Sequence, residues 1–92
     1  MKRLDEKEAA TMMKRAPQWT RIVNSIERRW RFKSFIGAVA FMNRVFALAE
    51  AANHHPNLTN VWTTVTIRYT THDAASLTKK DFNMAVKIDR LV

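Results

Sequence analysis

The sequence predicts an α+β domain with three helices packed on one face of a small sheet. Three observations carry this reading. Apolar residues recur at helical spacing over residues 6–15, 35–52 and 79–91. Residues 26–33 and 61–70 instead alternate with period two and are rich in β-branched and aromatic side chains. Cap and turn residues separate these segments, giving the order α-β-β-α-β-α in a single domain over residues 1–92.

The first helix is expected from Glu6 to Arg15. Asp5 caps it and Glu8, three residues on, completes a capping box, with Leu4 and Ala9 at the staple positions. Ala9, Met12, Met13 and Ala16 form its apolar stripe, and Pro17 stops it because the residue before a proline avoids the α region. A hairpin follows. Gln18–Val23 is a weak strand, Asn24-Ser25 the turn, and Ile26–Lys33 the better strand. Ile26, Arg28, Trp30 and Phe32 face one way there, and Glu27, Arg29, Arg31 and Lys33 the other. Ser34 caps a second helix, Phe35–Ala52, that is apolar nearly all round and so needs cover on more than one side. In a domain this small the second cover is expected to be another subunit. Asn53 ends the helix in a left-handed conformation, and Pro56 prevents its continuation. Leu58-Thr59 is at most a short extended piece before one long strand, Val61–Thr70. Val61, Thr63, Val65, Ile67 and Tyr69 are expected on one face of that strand. Thr78 and Asp81 form a second capping box for the last helix, Lys79–Leu91, with Met84, Ala85, Ile88 and Val92 on its inner stripe.

Composition excludes several chemistries. The chain has no Cys, which removes thiolate nucleophiles, disulfides and Cys-ligated metals and fits a reducing compartment. Its one glycine, Gly37, rules out a glycine-rich phosphate loop. The net charge is +8, divided as +6 over residues 1–33, 0 over 34–60 and +2 over 61–92. Such a balance points to an anionic partner or to a solubilising surface. Arg29, Arg31 and Lys33, with Arg28 beside them, are the residues that would touch nucleic acid. No helix-turn-helix or RNA-binding aromatic motif supports that, so nucleic acid is not the expected partner. There is no signal-peptide core, and Asp5, Glu6 and Glu8 argue against a transit peptide. The Phe35–Met42 run is too short to cross a bilayer. A soluble, cytoplasmic protein is expected.

The residues with chemical potential are three histidines. His54 and His55 follow the buried helix, and His72 follows the long strand, both at loop mouths. Imidazole donates and accepts protons near neutral pH. Glu50 lies four residues before His54, so a persisting helix would let its carboxylate orient that ring. Each residue also has an ordinary structural reading: a polar helix exit, a turn residue, a cap. Adjacent histidines on extended backbone point apart and no carboxylate cluster completes a ligand set, so no metal site is expected. Trp30 is expected in the core, whereas Trp19 and Trp62 are candidates to wall a pocket. No serine elbow and no carboxylate pair is evident. What remains is histidine acid–base chemistry on a small neutral molecule.

Glu50-x3-His54-His55-Pro56-x5-Trp62-x9-His72-x8-Asp81 resembles the signature of the pterin-4a-carbinolamine dehydratases. Flanking features are similar: Phe32-Lys33-x-Phe35, Ala49-Glu50, Asn60-Val61, Thr71-His72 and Leu77-Thr78-x-x-Asp81. The resemblance spans about Trp19 to Leu91. It implies a two-layer sandwich with the helices on one face of an antiparallel sheet, assembled as homodimers or homotetramers. The implied reaction is loss of water from a 4a-hydroxytetrahydropterin to give the quinonoid dihydropterin, in tetrahydrobiopterin recycling beside an aromatic amino acid hydroxylase. The pterin is then the substrate, and no cofactor is needed. Carried onto this chain, His55 and His72 transfer protons and His54 positions the pterin. Trp19 and Pro56 lie at the pocket, Glu50 supports the histidine loop, and Asp81 caps the last helix and orients His72. Some members of the family also act as dimerisation partners of a transcription factor, which is the alternative role. Relatives often carry glycine where Ala75-Ser76 stand and an acid where Ser34 stands, so the loop after His72 is expected to take its own path.

Overall fold

The computed structural model describes residues 2–92. Its elements are α1 (Glu6–Met13), β1 (Thr20–Ile22), β2 (Ser25–Arg31), α2 (Phe35–Ala52), β3 (Asn57–Val61), β4 (Thr64–Tyr69) and α3 (Lys79–Asp89). The four strands form one antiparallel sheet in the order β1-β2-β4-β3. Its inner face contributes Ile26, Trp30, Val65, Ile67 and Tyr69 to the core, against Ala38, Phe41, Val45 and Ala49 of α2 and Phe82, Ala85 and Ile88 of α3. The expected α+β fold is the one observed.

The capping signals read correctly. Asp5 and Glu8 exchange both bonds of a capping box, as do Thr78 and Asp81, and Ser34 Oγ accepts from Gly37 N–H. Backbone pairing of Leu4 N–H with Leu77 O at 3.0 Å ties the start of the chain to the approach of α3.

Several boundaries differ from the sequence reading. The helix α1 stops at Met13 rather than Arg15, because the chain tightens into three-residue bonds (Arg15 to Met12, Ala16 to Met13) that turn it under the core. The first hairpin turns at Val23-Asn24, not Asn24-Ser25, with Ile22 opposite Ser25. The long strand expected from Val61 to Thr70 is two strands. Trp62 takes a left-handed φ of 52°, and the Asn60 side-chain amide donates to both Trp62 O and Thr64 O, folding the chain back. Val61 therefore lies on β3, exposed, rather than in line with Val65, and Trp62 is 71% exposed at the turn instead of walling a pocket. The last helix ends at Asp89, which leaves Val92 exposed rather than on the inner stripe.

The 18-residue helix α2 is, by length and composition alone, long and apolar enough to cross a membrane, which the shorter Phe35–Met42 run had not indicated. Here its inner face is packed on the sheet, while Phe35, Ile36 and Phe46 on other faces are exposed.

Trp19 belongs to the core. It is 3% exposed, meets Trp30 edge-on at 5.6 Å, and donates from Nε1 to Asp89 at 2.9 Å. Asp89 also pairs with Arg28 at 2.6 Å, and the Arg28 guanidinium lies over the Trp30 ring. Arg28, the polar exception on the apolar face of β2, is thus accommodated by an ion pair and an aromatic ring.

Candidate active site

The end of α2 sets the site. Asn53 adopts φ 50°, ψ 43°, and its N–H, like that of His54, bonds back to carbonyls of the last helical turn. This left-handed stop satisfies the helix end and abruptly changes the chain direction. His54 is thereby carried inward, where Tyr69 Oη–H donates to its carbonyl at 3.0 Å and the two rings lie 5.0 Å apart. His55 swings back along α2 so that its Nε2 meets Glu50 at 2.8 Å. The helical spacing had placed Glu50 beside His54; because the helix ends at Asn53, the partner is the next residue.

Asp81 is fully buried. Its Oδ2 accepts from the Thr78 backbone N–H at 2.9 Å and from Thr71 Oγ1 at 3.0 Å, and its Oδ1 lies 2.6 Å from His54 Nε2. A carboxylate only accepts, so Nε2 of His54 carries the proton in that bond. Asp81 therefore caps α3 and orients His54, not His72. One buried carboxylate fixes a helix start, a strand end and a histidine together. Burial, with the Asp81 charge adding to it, pushes the Tyr69 phenol well above its ordinary range.

His72 opens a single 3-10 turn, His72–Ala74, closed by the Thr71–Ser76 bridge. Ala75 completes that loop at φ 53°, a conformation natural to glycine. No side-chain hydrogen bond holds the His72 imidazole among the described residues.

These pieces converge. His54, His55 and His72 line one cleft of about 430 Å³ together with Pro56, Thr71 and Asp73. An adjoining apolar hollow of about 390 Å³, walled by Phe46, Ala49 and Pro56, shares His55 with it. Trp19 is not among the residues lining either. Among the described residues no group of three or more His, Asp or Glu side chains is placed to hold a metal ion. Chemically, the cleft offers three imidazoles in different settings: one fixed by a buried carboxylate, one paired at the surface, one free.

The family model for pterin 4 alpha carbinolamine dehydratase matches residues 2–91. The chain belongs to this family. The match reaches past Trp19 into the first helix, where the sequence resemblance was weak. A Picosynechococcus sp. protein provisionally named pterin-4-alpha-carbinolamine dehydratase is 43% identical, covering 97% of each chain. A Chloroflexus aurantiacus protein with the same provisional name is 42% identical over all of this chain and 99% of its own. The structure of a transcriptional coactivator/pterin dehydratase from Brucella melitensis superposes with a TM-score of 0.94 at 29% identity, covering 98% of both chains. A pterin dehydratase-like RuBisCO assembly factor of the α-carboxysome shares the fold at a TM-score of 0.67 and 24% identity.

The sequence singled out the three histidines, Glu50 and Asp81, and all five meet around the cleft. It missed Tyr69 and Thr71 as members of the network. Alternation along β4 predicts that Tyr69 points inward, but nothing in the spacing says that its hydroxyl reaches the His54 carbonyl.

Proposed function

We propose that this protein dehydrates 4a-hydroxytetrahydropterins to quinonoid dihydropterins by histidine acid–base catalysis. The observation that carries the reading is the convergence of His54, His55 and His72 on one cleft. The hydroxyl on C4a leaves as water and needs a proton; N5 loses a proton and needs a base. His55 and His72 are the residues for these two transfers, since His55 pairs only with an exposed carboxylate and His72 has no side-chain partner among the described residues, whereas His54 is held by a buried one. His54, locked through Nε2 by Asp81, positions the ring, with Pro56 shaping the loop. Glu50 holds His55, and no bound cofactor is called for.

In this reading the protein serves tetrahydrobiopterin recycling in the cytoplasm beside an aromatic amino acid hydroxylase. It assembles as a homodimer or homotetramer through the exposed apolar face of α2. The name of the Brucella relative supports a second role for the same fold as a protein-interaction partner.

The test is a phenylalanine hydroxylase turnover followed with and without the protein. The 4a-hydroxy intermediate is expected to stop accumulating when the protein is present. An unchanged intermediate would remove the reading.

A further inference from the structure

Beside the histidine cleft lies a second, smaller hollow of about 110 Å³, lined by Ala52, His54, Lys80, Asn83, Met84 and Lys87. His54 and Lys80 line both spaces, so the two adjoin. Lys80, Asn83 and Lys87 stand at i, i+3 and i+7 on α3, which brings two ammonium groups and an amide onto one helix face. Neither lysine has an acidic partner among the described residues. The ion pairs of the chain occupy Glu6, Glu27, Glu50, Asp81 and Asp89 with other residues, and Asp5 and Glu8 are spent on the α1 capping box. Asp73 lines the main cleft but not this hollow.

Dehydration at C4a and N5 of a neutral ring does not call for two unpaired cations. Lys80 stands at the rim of the cleft and Lys87 beyond it, a placement that suits the ring's substituent rather than its reacting atoms. An unpaired cationic pair beside a hollow favours an anion by charge. We propose that the substrate of this site is a pterin whose side chain ends in an anionic group, a carboxylate or a phosphate ester, seated between Lys80 and Lys87. This rests on the dehydratase reading for the ring, and on the lysine pair alone for the side chain.

The test titrates the full chain with three pterins, followed by pterin fluorescence at low ionic strength. One carries a neutral dihydroxypropyl side chain, one a carboxylate-terminated chain and one a phosphate ester. The wild-type protein is expected to bind a charged pterin about tenfold more tightly than the neutral one, the effect of two exposed ion pairs. Whichever charged probe binds better identifies the anion. The preference is expected to shrink at about 0.5 M salt and to fall to about one in the Lys80→Gln/Lys87→Gln variant. Both side chains are on the surface, so the variant keeps its fold, checked by its melting curve. Equal affinities in the wild type, or a preference that survives the double substitution, would overturn the proposal. Dehydration assays on the 4a-hydroxytetrahydro forms of the same three compounds separate the two claims. A binding preference without turnover leaves the anion site standing and removes the reaction, and turnover without a preference does the reverse.

Discussion

Asp81 is the residue on which most of the site depends. Its carboxylate accepts three hydrogen bonds in a fully buried position, and each donor belongs to a different structural task. Replacing it with alanine leaves the Thr71 hydroxyl, the Thr78 N–H and His54 Nε2 without their acceptor. A loss of about 3 kcal/mol in unfolding free energy is expected by urea titration, and a loss below ~1 kcal/mol would contradict the network. Tyr69 is reported by its own chromophore, because it is the only tyrosine in the chain. Its raised pKa means that the folded protein keeps a phenol proton which the unfolded chain releases above about pH 10. The stabilisation is complete below pH 10 and is lost as pH rises, by up to ~1.4 kcal/mol per pH unit. Tyrosinate absorbance is expected to appear well above pH 10 in the native protein. A Tyr69→Phe variant is expected to lose this part of the alkaline stability slope. A native tyrosinate transition at pH 10 would contradict the buried placement.

At the scale of elements, the sequence was legible wherever the side chains did the local work. Capping boxes at Asp5/Glu8 and Thr78/Asp81, the Ser34 cap and the Asn53 stop are chemical signals in the residues themselves, and each falls where it was read. The first hairpin turn was read one residue late and the second was missed, because the chain uses unusual residues for them. Two-residue turns favour Gly, Asn or Asp at their left-handed position, and here Val23 and Trp62 occupy it at φ 53° and 52°. Without a glycine to punctuate it, residues 61–70 read as one strand. Holding a β-branched residue at positive φ costs about 1–2 kcal/mol, partly offset in glycine by its greater loss of backbone entropy. Val23→Gly is therefore expected to raise stability by about 1 kcal/mol. A destabilised variant in thermal and urea unfolding would show that the turn is not strained. The partner of Glu50 was illegible for a related reason: one left-handed residue, Asn53, shifts the histidines relative to the helix, and spacing rules assume that the helix goes on.

For the whole molecule, the core closes between the inner sheet face and the three helices, yet α2 leaves Ile36 79% exposed with Phe35 and Phe46 half-exposed. The proposed assembly would cover this surface. Sedimentation velocity is expected to show an oligomer that Ile36→Asp converts to monomer without loss of helical signal; a monomeric wild-type protein would contradict the assembly. The positive charge lies on the segments flanking α1 and on β2, with a smaller excess on α3, and the acids are largely consumed in pairs, so an excess of free cations is left on the surface. The central claim remains the cleft where three histidines meet. It is tested most directly by stopped-flow decay of a chemically prepared 4a-hydroxytetrahydropterin, comparing buffer, wild type, His55→Ala and His72→Ala. The account predicts fast decay with the wild type and a loss of about 100-fold or more in each variant. Decay with the wild type no faster than in buffer, or undiminished in both variants, would contradict it.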